Sequence, residues 1–130
     1  MAIPQKIVLK LSRWSRALEL DLYRVADQDC PLSWYKDQVS HGRLDVWDVY
    51  SGKNRVGSVL TRMEGKEFVM VAGAGTPDFD GIAEIFPRME SLATKLGCKS
   101  IRVHTKREGL RVKAARLGYG QLEYVLGKAL

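Results

Sequence analysis

The sequence predicts an α+β domain, and three observations carry that prediction. A run of period two from Arg43 to Ala72, cut twice by turn residues, reads as an antiparallel meander of three strands. Stretches of helical period flank this run on both sides. Near the end, Lys99 to Tyr119 reads as strand, polar turn, basic helix and glycine stop. With 130 residues the chain suits one domain, 1–130, large enough to bury a real core but not two independent ones.

Taken in order, Ile7-Val8-Leu9-Lys10-Leu11 has strand character and either pairs with the main sheet or leads into the first helix. Ser12 or Ser15 suits the cap of that helix, over Arg16 to Ala26, where Leu18, Leu22 and Val25 share a face. Asp27-Gln28-Asp29-Cys30 breaks it. Pro31 then fits the first turn of a second short helix, Leu32 to Val39, which ends at His41-Gly42. In the meander, Leu44, Val46, Asp48 and Tyr50 alternate with Asp45, Trp47 and Val49, which puts Asp45 and Asp48 on a solvent face or edge. Ser51 to Asn54 turns the chain, Val56 to Thr61 returns, and Met63 to Lys66 turns again. Glu67 to Ala72 is apolar on both faces and therefore central.

Gly73 to Gly81 breaks the sheet. A helix follows over Gly81 to Leu96, with Ile82, Ile85, Met89, Leu92 and Ala93 facing the core and Gly97 ending it. Ser100 to Thr105 is the next strand. In the basic helix after it, Leu110, Ala114 and Leu117 share one face, and Gly118 takes the left-handed terminal position. Gln121 to Leu126, with Leu122, Tyr124 and Leu126 alternating, reads as a closing strand.

The net charge of +6 is unevenly spread: eight Lys or Arg residues lie between Lys95 and Arg116 against one acid, Glu108. Such a field favours an anionic partner, whether cofactor phosphates, nucleic acid or an acidic protein face, unless it is simply a solvated helix face. For nucleic acid the basic 95–116 face lacks a stacking platform, because Tyr119 is the only aromatic close to those cations. No apolar run approaches the roughly 18 residues of a membrane span, so a membrane partner is not expected. The N-terminal residues lack the apolar core and cleavage site of a signal peptide, so a cytoplasmic location is expected. Cys30 and Cys98 stand far apart with no CxxC, which points to buried thiols and no metal site. No catalytic triad spacing, HExxH or Walker motif occurs.

The layout across nearly the whole chain resembles the GNAT superfamily of acyl-CoA-dependent N-acetyltransferases. Locally, Arg116-Leu117-Gly118-Tyr119 is similar to that family's Lys-x-Gly-Phe ending of the last helix. The resemblance implies a mixed, mostly antiparallel central sheet with helices on both faces. It implies that Val69 to Ala72 splays from the next strand and that Gly73 to Gly81 presents amides to a pyrophosphate. The cofactor would be acetyl-CoA, held by Val71, Ala72, Gly73, Gly75 and Thr76, with Arg107 and Arg111 meeting its phosphates. His104 and Glu67 become the candidate catalytic bases, and Trp34 and Tyr35, beside His41, border the acceptor groove. The partners implied are acyl-CoA and a small amine or a protein amine, in a monomer or a homo-oligomer.

The chain departs from the family pattern at several positions. No Arg or Gln opens the loop, Pro77 removes one amide donor, and Asp78 and Asp80 place carboxylates either beside the phosphate or as helix caps. Ala114 stands where the family's general-acid Tyr falls, and Arg107 stands where it has an Asn. These departures leave two alternatives to acetyl transfer. One is a GNAT-fold protein without catalysis, a binding or structural module of phage or mobile-element type. The other is nucleic-acid binding through the basic face.

Overall fold

The computed structural model describes residues 6–28, 30–76, 82–105, 108–122 and 125–130, apart from the side chains of Ile82 and Ala83. The N-terminal apolar run joins the sheet: β1 (Ile7–Ser12) pairs antiparallel with β2 (Asp45–Ser51), setting Ile7 opposite Ser51 and Leu11 opposite Trp47. β2 pairs with β3 (Asn54–Glu64), and β3 with β4 (Glu67–Gly75), both antiparallel. β5 (Ser100–Val103) pairs with β4 in parallel, which gives a five-stranded mixed sheet in the order β1-β2-β3-β4-β5. Strand alternation sends apolar side chains to both faces, and each face is covered. On one side Val46 and Leu60 pack with Leu18 and Leu22 of α1 (Arg16–Tyr23) and Tyr35 of α2 (Leu32–Ser40). On the other, Val49, Val59, Phe68 and Met70 pack with Phe86 and Met89 of α3 (Ile82–Lys95) and Ala114 of α4 (Glu108–Arg116).

The helix ends have identifiable causes. Ser15, in extended conformation, accepts from the Leu18 amide at 3.1 Å and caps α1. α1 stops at Tyr23, short of the expected Ala26, and Val25 reaches the same apolar cluster through the turn that follows. Pro31 sits at the cap position of α2, one residue before the first turn. Gly97 and Gly118 have φ of 81° and 92°, and each lets the next amide bond back to a carbonyl five residues earlier: Cys98 to Ala93 at 2.9 Å, Tyr119 to Ala114 at 3.1 Å. Only a residue without Cβ takes that conformation readily, so both glycines act as the expected stops.

Two expectations at the C-terminal end are corrected. Leu117 does not face the core: α4 ends at Arg116, and the reversal at Gly118 leaves Leu117 43% exposed. The closing strand over Gln121–Leu126 does not form among the described residues. Residues 121–122 and 125–126 take no regular structure, and Leu122, Val125 and Leu126 are exposed. β5 is therefore the edge of the sheet as described. The two cysteines are free and lie on opposite sides of the sheet, Cys30 against the α1–α2 cluster and Cys98 against the α3–α4 cluster. Among the described residues no helix is long and apolar enough to cross a membrane, and no three His, Cys, Asp or Glu residues cluster as a metal site would require.

Candidate functional site

β4 and β5 run together only from Glu67↔Ser100 to Met70↔Val103. The His104 amide makes one more bond, to the Met70 carbonyl at 3.3 Å, and there the strands part. β4 continues through Val71 to Gly75 with β3 as its strand partner, while β5 ends at Val103. At the same point the register of β3 with β4 shifts. Leu60 pairs with Ala72 and Thr61 with Met70, so Val71 is an extra residue in β4, a bulge that bends and twists the strand. The bulge also puts both Val71 and Ala72 in the α1–α2 cluster, whereas Phe68 and Met70 face α3.

Beyond the bulge, Ala72-Gly73-Ala74-Gly75 carries no side chain larger than a methyl group. Among the described residues, a Cβ added at Gly73 would meet Met70 Cε at 3.8 Å and the Ser58 carbonyl at 3.9 Å. The far side of this segment is crowded instead: a Cβ on Gly57 would lie 2.6 Å from the Ala74 carbonyl oxygen. The small residues thus let β3 pack closely against this end of β4.

Behind it lies a charged network. Asp21 on α1 is 2% exposed, and its Oδ2 accepts from Ser58 Oγ at 2.8 Å and pairs with Arg55 at 2.9 Å. Arg55 also reaches Asp48 at 3.2 Å, so Asp48 is half-buried in an ion pair and not on a solvent face as expected. Arg24 stands 3.7 Å from Asp21 Oδ1 and donates to the Gly75 carbonyl at the end of β4. A carboxylate this deeply buried needs its partners, and two guanidiniums and a hydroxyl supply them. Asp21, Arg24 and Arg55 escaped the sequence reading. The available signal was an acid set on the apolar face of a helix between Leu18 and Leu22.

The expected site residues divide into groups. Val71, Ala72, Gly73, Gly75 and Thr76 form the parting edge and its exit, with the Thr76 amide bonded to the Val56 carbonyl at 2.9 Å. His104 flanks the parting point and is exposed. It shares a cavity of about 260 Å³ with Arg111, Ala114 and Tyr119. Arg111 donates through Nε to Glu108 at 3.0 Å, a bond that holds the Glu108 carboxyl below the usual range. Trp34 and Tyr35 meet edge to face at 5.1 Å and pack in the cluster that holds Val71 and Ala72, so they back the bulge, with Tyr35 buried. Glu67 is not brought to this group. It begins β4, three residues before the strands part, and is held by Arg102 at 2.8 Å. Arg107, Pro77, Asp78, Asp80 and Gly81 lie outside the described residues.

The basic 95–116 stretch is partly compensated by acids. Arg102 pairs with Glu64 at 2.6 Å as well as with Glu67, and its hydrogen bond keeps the Glu64 carboxyl below its ordinary range. Tyr119 packs on Phe86 with ring centroids 5.1 Å apart. Burial, with the charge of Glu90 adding to it, pushes the Tyr119 phenol up to about 12.

Neither the protein-family models nor the curated proteins match this sequence. Solved structures do match in shape. A Bacillus subtilis acetyltransferase in complex with CoA superposes with a TM-score of 0.68 at 18% identity, over 87% of this chain and 76% of that one. An aminoglycoside N-acetyltransferase, AAC(6')-Iy, also in complex with CoA, gives 0.64 at 11% identity over 100% and 98% of the two chains. An integron cassette protein from the mobile metagenome of V. cholerae gives 0.59 at 12% over 95% and 93%. At these identities the likeness establishes the GNAT-like fold.

Proposed function

We propose that this protein is an acyl-CoA-dependent N-acyltransferase of the cytoplasm that moves an acetyl group from acetyl-CoA to an amine. The observation that carries the reading is the parting of β4 from β5 at Met70, with a bulge at Val71 and the small residues Ala72 to Gly75 beyond it. Acetyl-CoA supplies the thioester. The arm would lie along Val71, Ala72 and Gly73, with its phosphate end near Gly75 and Thr76 and with Arg111 beside His104. His104, beside the parting point, takes the proton that the amine must lose to become a nucleophile. Aligning amine and thioester in one groove supplies most of the remaining advantage. Trp34 and Tyr35 fix the wall behind the bulge.

The test is thermal unfolding and calorimetry of the full chain with CoA and acetyl-CoA, then thiol release with a panel of amines. A ligand present at 100 times its Kd stabilises the folded state by about 2.7 kcal/mol. No shift in melting temperature at millimolar cofactor overturns the proposal. A second reading, a GNAT-fold module of phage or mobile-element type that binds without transferring, draws on Ala114. The resemblance sets this residue where the family has its general-acid Tyr, and it is buried in the core. CoA binding without thiol release for any amine favours that reading.

A further inference from the structure

We propose that Arg24 is the cation that receives the diphosphate of the acyl-CoA at the outer end of β4. The inference rests on the acyl-CoA reading above and names the group that makes the site attractive to a polyanion. The need for such a group is plain from the sequence. Residues 73–81 contain no Lys or Arg and two aspartates, so the segment that leads from β4 toward α3 has no positive charge of its own. A diphosphate approaching the end of β4 requires a cation delivered from another element.

Arg24 comes from 51 residues away and puts its guanidinium on the Gly75 carbonyl, the last residue of β4. It is held there from behind. Asp21, one turn earlier on α1, lies 3.7 Å from it and is itself fixed by Ser58 and Arg55. Arg55, closer at 2.9 Å, takes the larger share of the Asp21 charge, and Arg24 remains the more loosely compensated of the two cations. The two also differ in access: the Arg24 side chain is 40% exposed, the Arg55 side chain 20%. A guanidinium has five donors in a rigid fork. Its contacts with Gly75 and Asp21 are both made through one nitrogen, Nη1, and the other donors go to phosphate oxygens. Because the side chain is already anchored, little rotamer freedom is lost on binding.

The experiment is calorimetric titration of the full chain, wild type, Arg24→Gln and Arg24→Lys, with CoA, 3′-dephospho-CoA and pantetheine. Melting curves without ligand confirm that each variant is folded. Arg24→Gln is expected to weaken CoA and 3′-dephospho-CoA equally, by about tenfold to a hundredfold, the range of a charge-assisted hydrogen bond. Pantetheine binding stays unchanged, and Arg24→Lys recovers part of the loss. The salt dependence of CoA binding flattens in Arg24→Gln. An unchanged CoA affinity in Arg24→Gln overturns the proposal and leaves the acyl-CoA reading standing. So does an equal loss for pantetheine, which marks a structural role, or a loss confined to CoA, which marks its 3′-phosphate. A wild-type chain that binds no CoA at millimolar concentration overturns both.

Discussion

The buried network at Asp21 makes a prediction that the structure sizes. In Asp21→Asn the side chain keeps its volume and can still meet Ser58, but the carboxylate charge is gone. Arg55 then loses one of its two carboxylates and Arg24 loses its ion partner. Removing one member of a buried ion pair costs about 3–5 kcal/mol. Arg55 keeps Asp48 at 3.2 Å and is partly solvated, which brings the expected loss down to about 2–3 kcal/mol. An unfolding entropy of about 2.1 cal/mol/K per residue over 130 residues turns that into a fall in Tm of roughly 10 °C. The assay is urea and thermal unfolding of wild type, Asp21→Asn, Arg55→Met and the double variant. Removing both charges leaves no uncompensated ion on this pair, so the double variant should be more stable than the sum of the single losses by about 1–3 kcal/mol. A loss under about 0.5 kcal/mol in Asp21→Asn, or a strictly additive cycle, refutes the reasoning.

Gly57→Ala forces a methyl group to 2.6 Å from the Ala74 carbonyl, a backbone atom, so β3 and β4 must separate. Urea unfolding should show a loss of about 1–3 kcal/mol, as overpacking does. Phe86→Ala removes a fully buried ring and the support it gives Tyr119, and should lower stability by about 3–5 kcal/mol. Tyr119→Phe deletes a hydroxyl that is buried with no hydrogen-bond partner among the described residues, and should leave stability equal or higher by up to about 1 kcal/mol in the same assay. The same variant bears on alkaline unfolding. The folded phenol, at about 12, lies above its ordinary 10.0, so the neutral form is favoured by the fold. That contribution is whole below pH 10.0 and is lost as pH rises through about 12. Partial exposure keeps it small, and a pH series of melting temperatures should show the wild type falling faster than Tyr119→Phe over that window.

Most of the element order was readable because each element repeats a period. Leu18 and Leu22, or Ile85 and Met89, mark helix faces that the structure buries, and Gly97 and Gly118 mark ends that it bends. The closing strand failed for a reason the same logic misses. Alternation at Leu122, Tyr124 and Leu126 describes a segment able to pair, whereas pairing also needs the edge of β5, along which this tail forms no ladder in the described residues. The strand was expected to end at Ala72 with Gly73 breaking the sheet, whereas β4 runs on to Gly75 because small residues there let β3 pair closely. The long-range charge pairs were not legible in the sequence. Nothing local announces that Arg24 reaches Gly75, or that Arg102 is claimed by Glu64 and Glu67, because both are made by pairs distant in sequence.

Those distant pairs change where an anion would be drawn. By composition the attraction belongs to the basic stretch from Lys95 to Arg116. In the fold, Arg102 spends its charge on two acids at the start of β4, and Arg111 spends much of its own on Glu108. At the other end of β4, the bulge at Val71 turns the strand out of its pairing with β5 and carries Gly75 toward α1, where Arg24 waits on a carboxylate shared with Arg55. One inserted residue thus does two things. It ends the β4–β5 ladder after Met70, and it sends Val71 and Ala72 into the cluster of Trp34 and Tyr35, which keeps the strand from sliding back into register. Packing on that face of the sheet therefore sets the path that β4 takes after Met70.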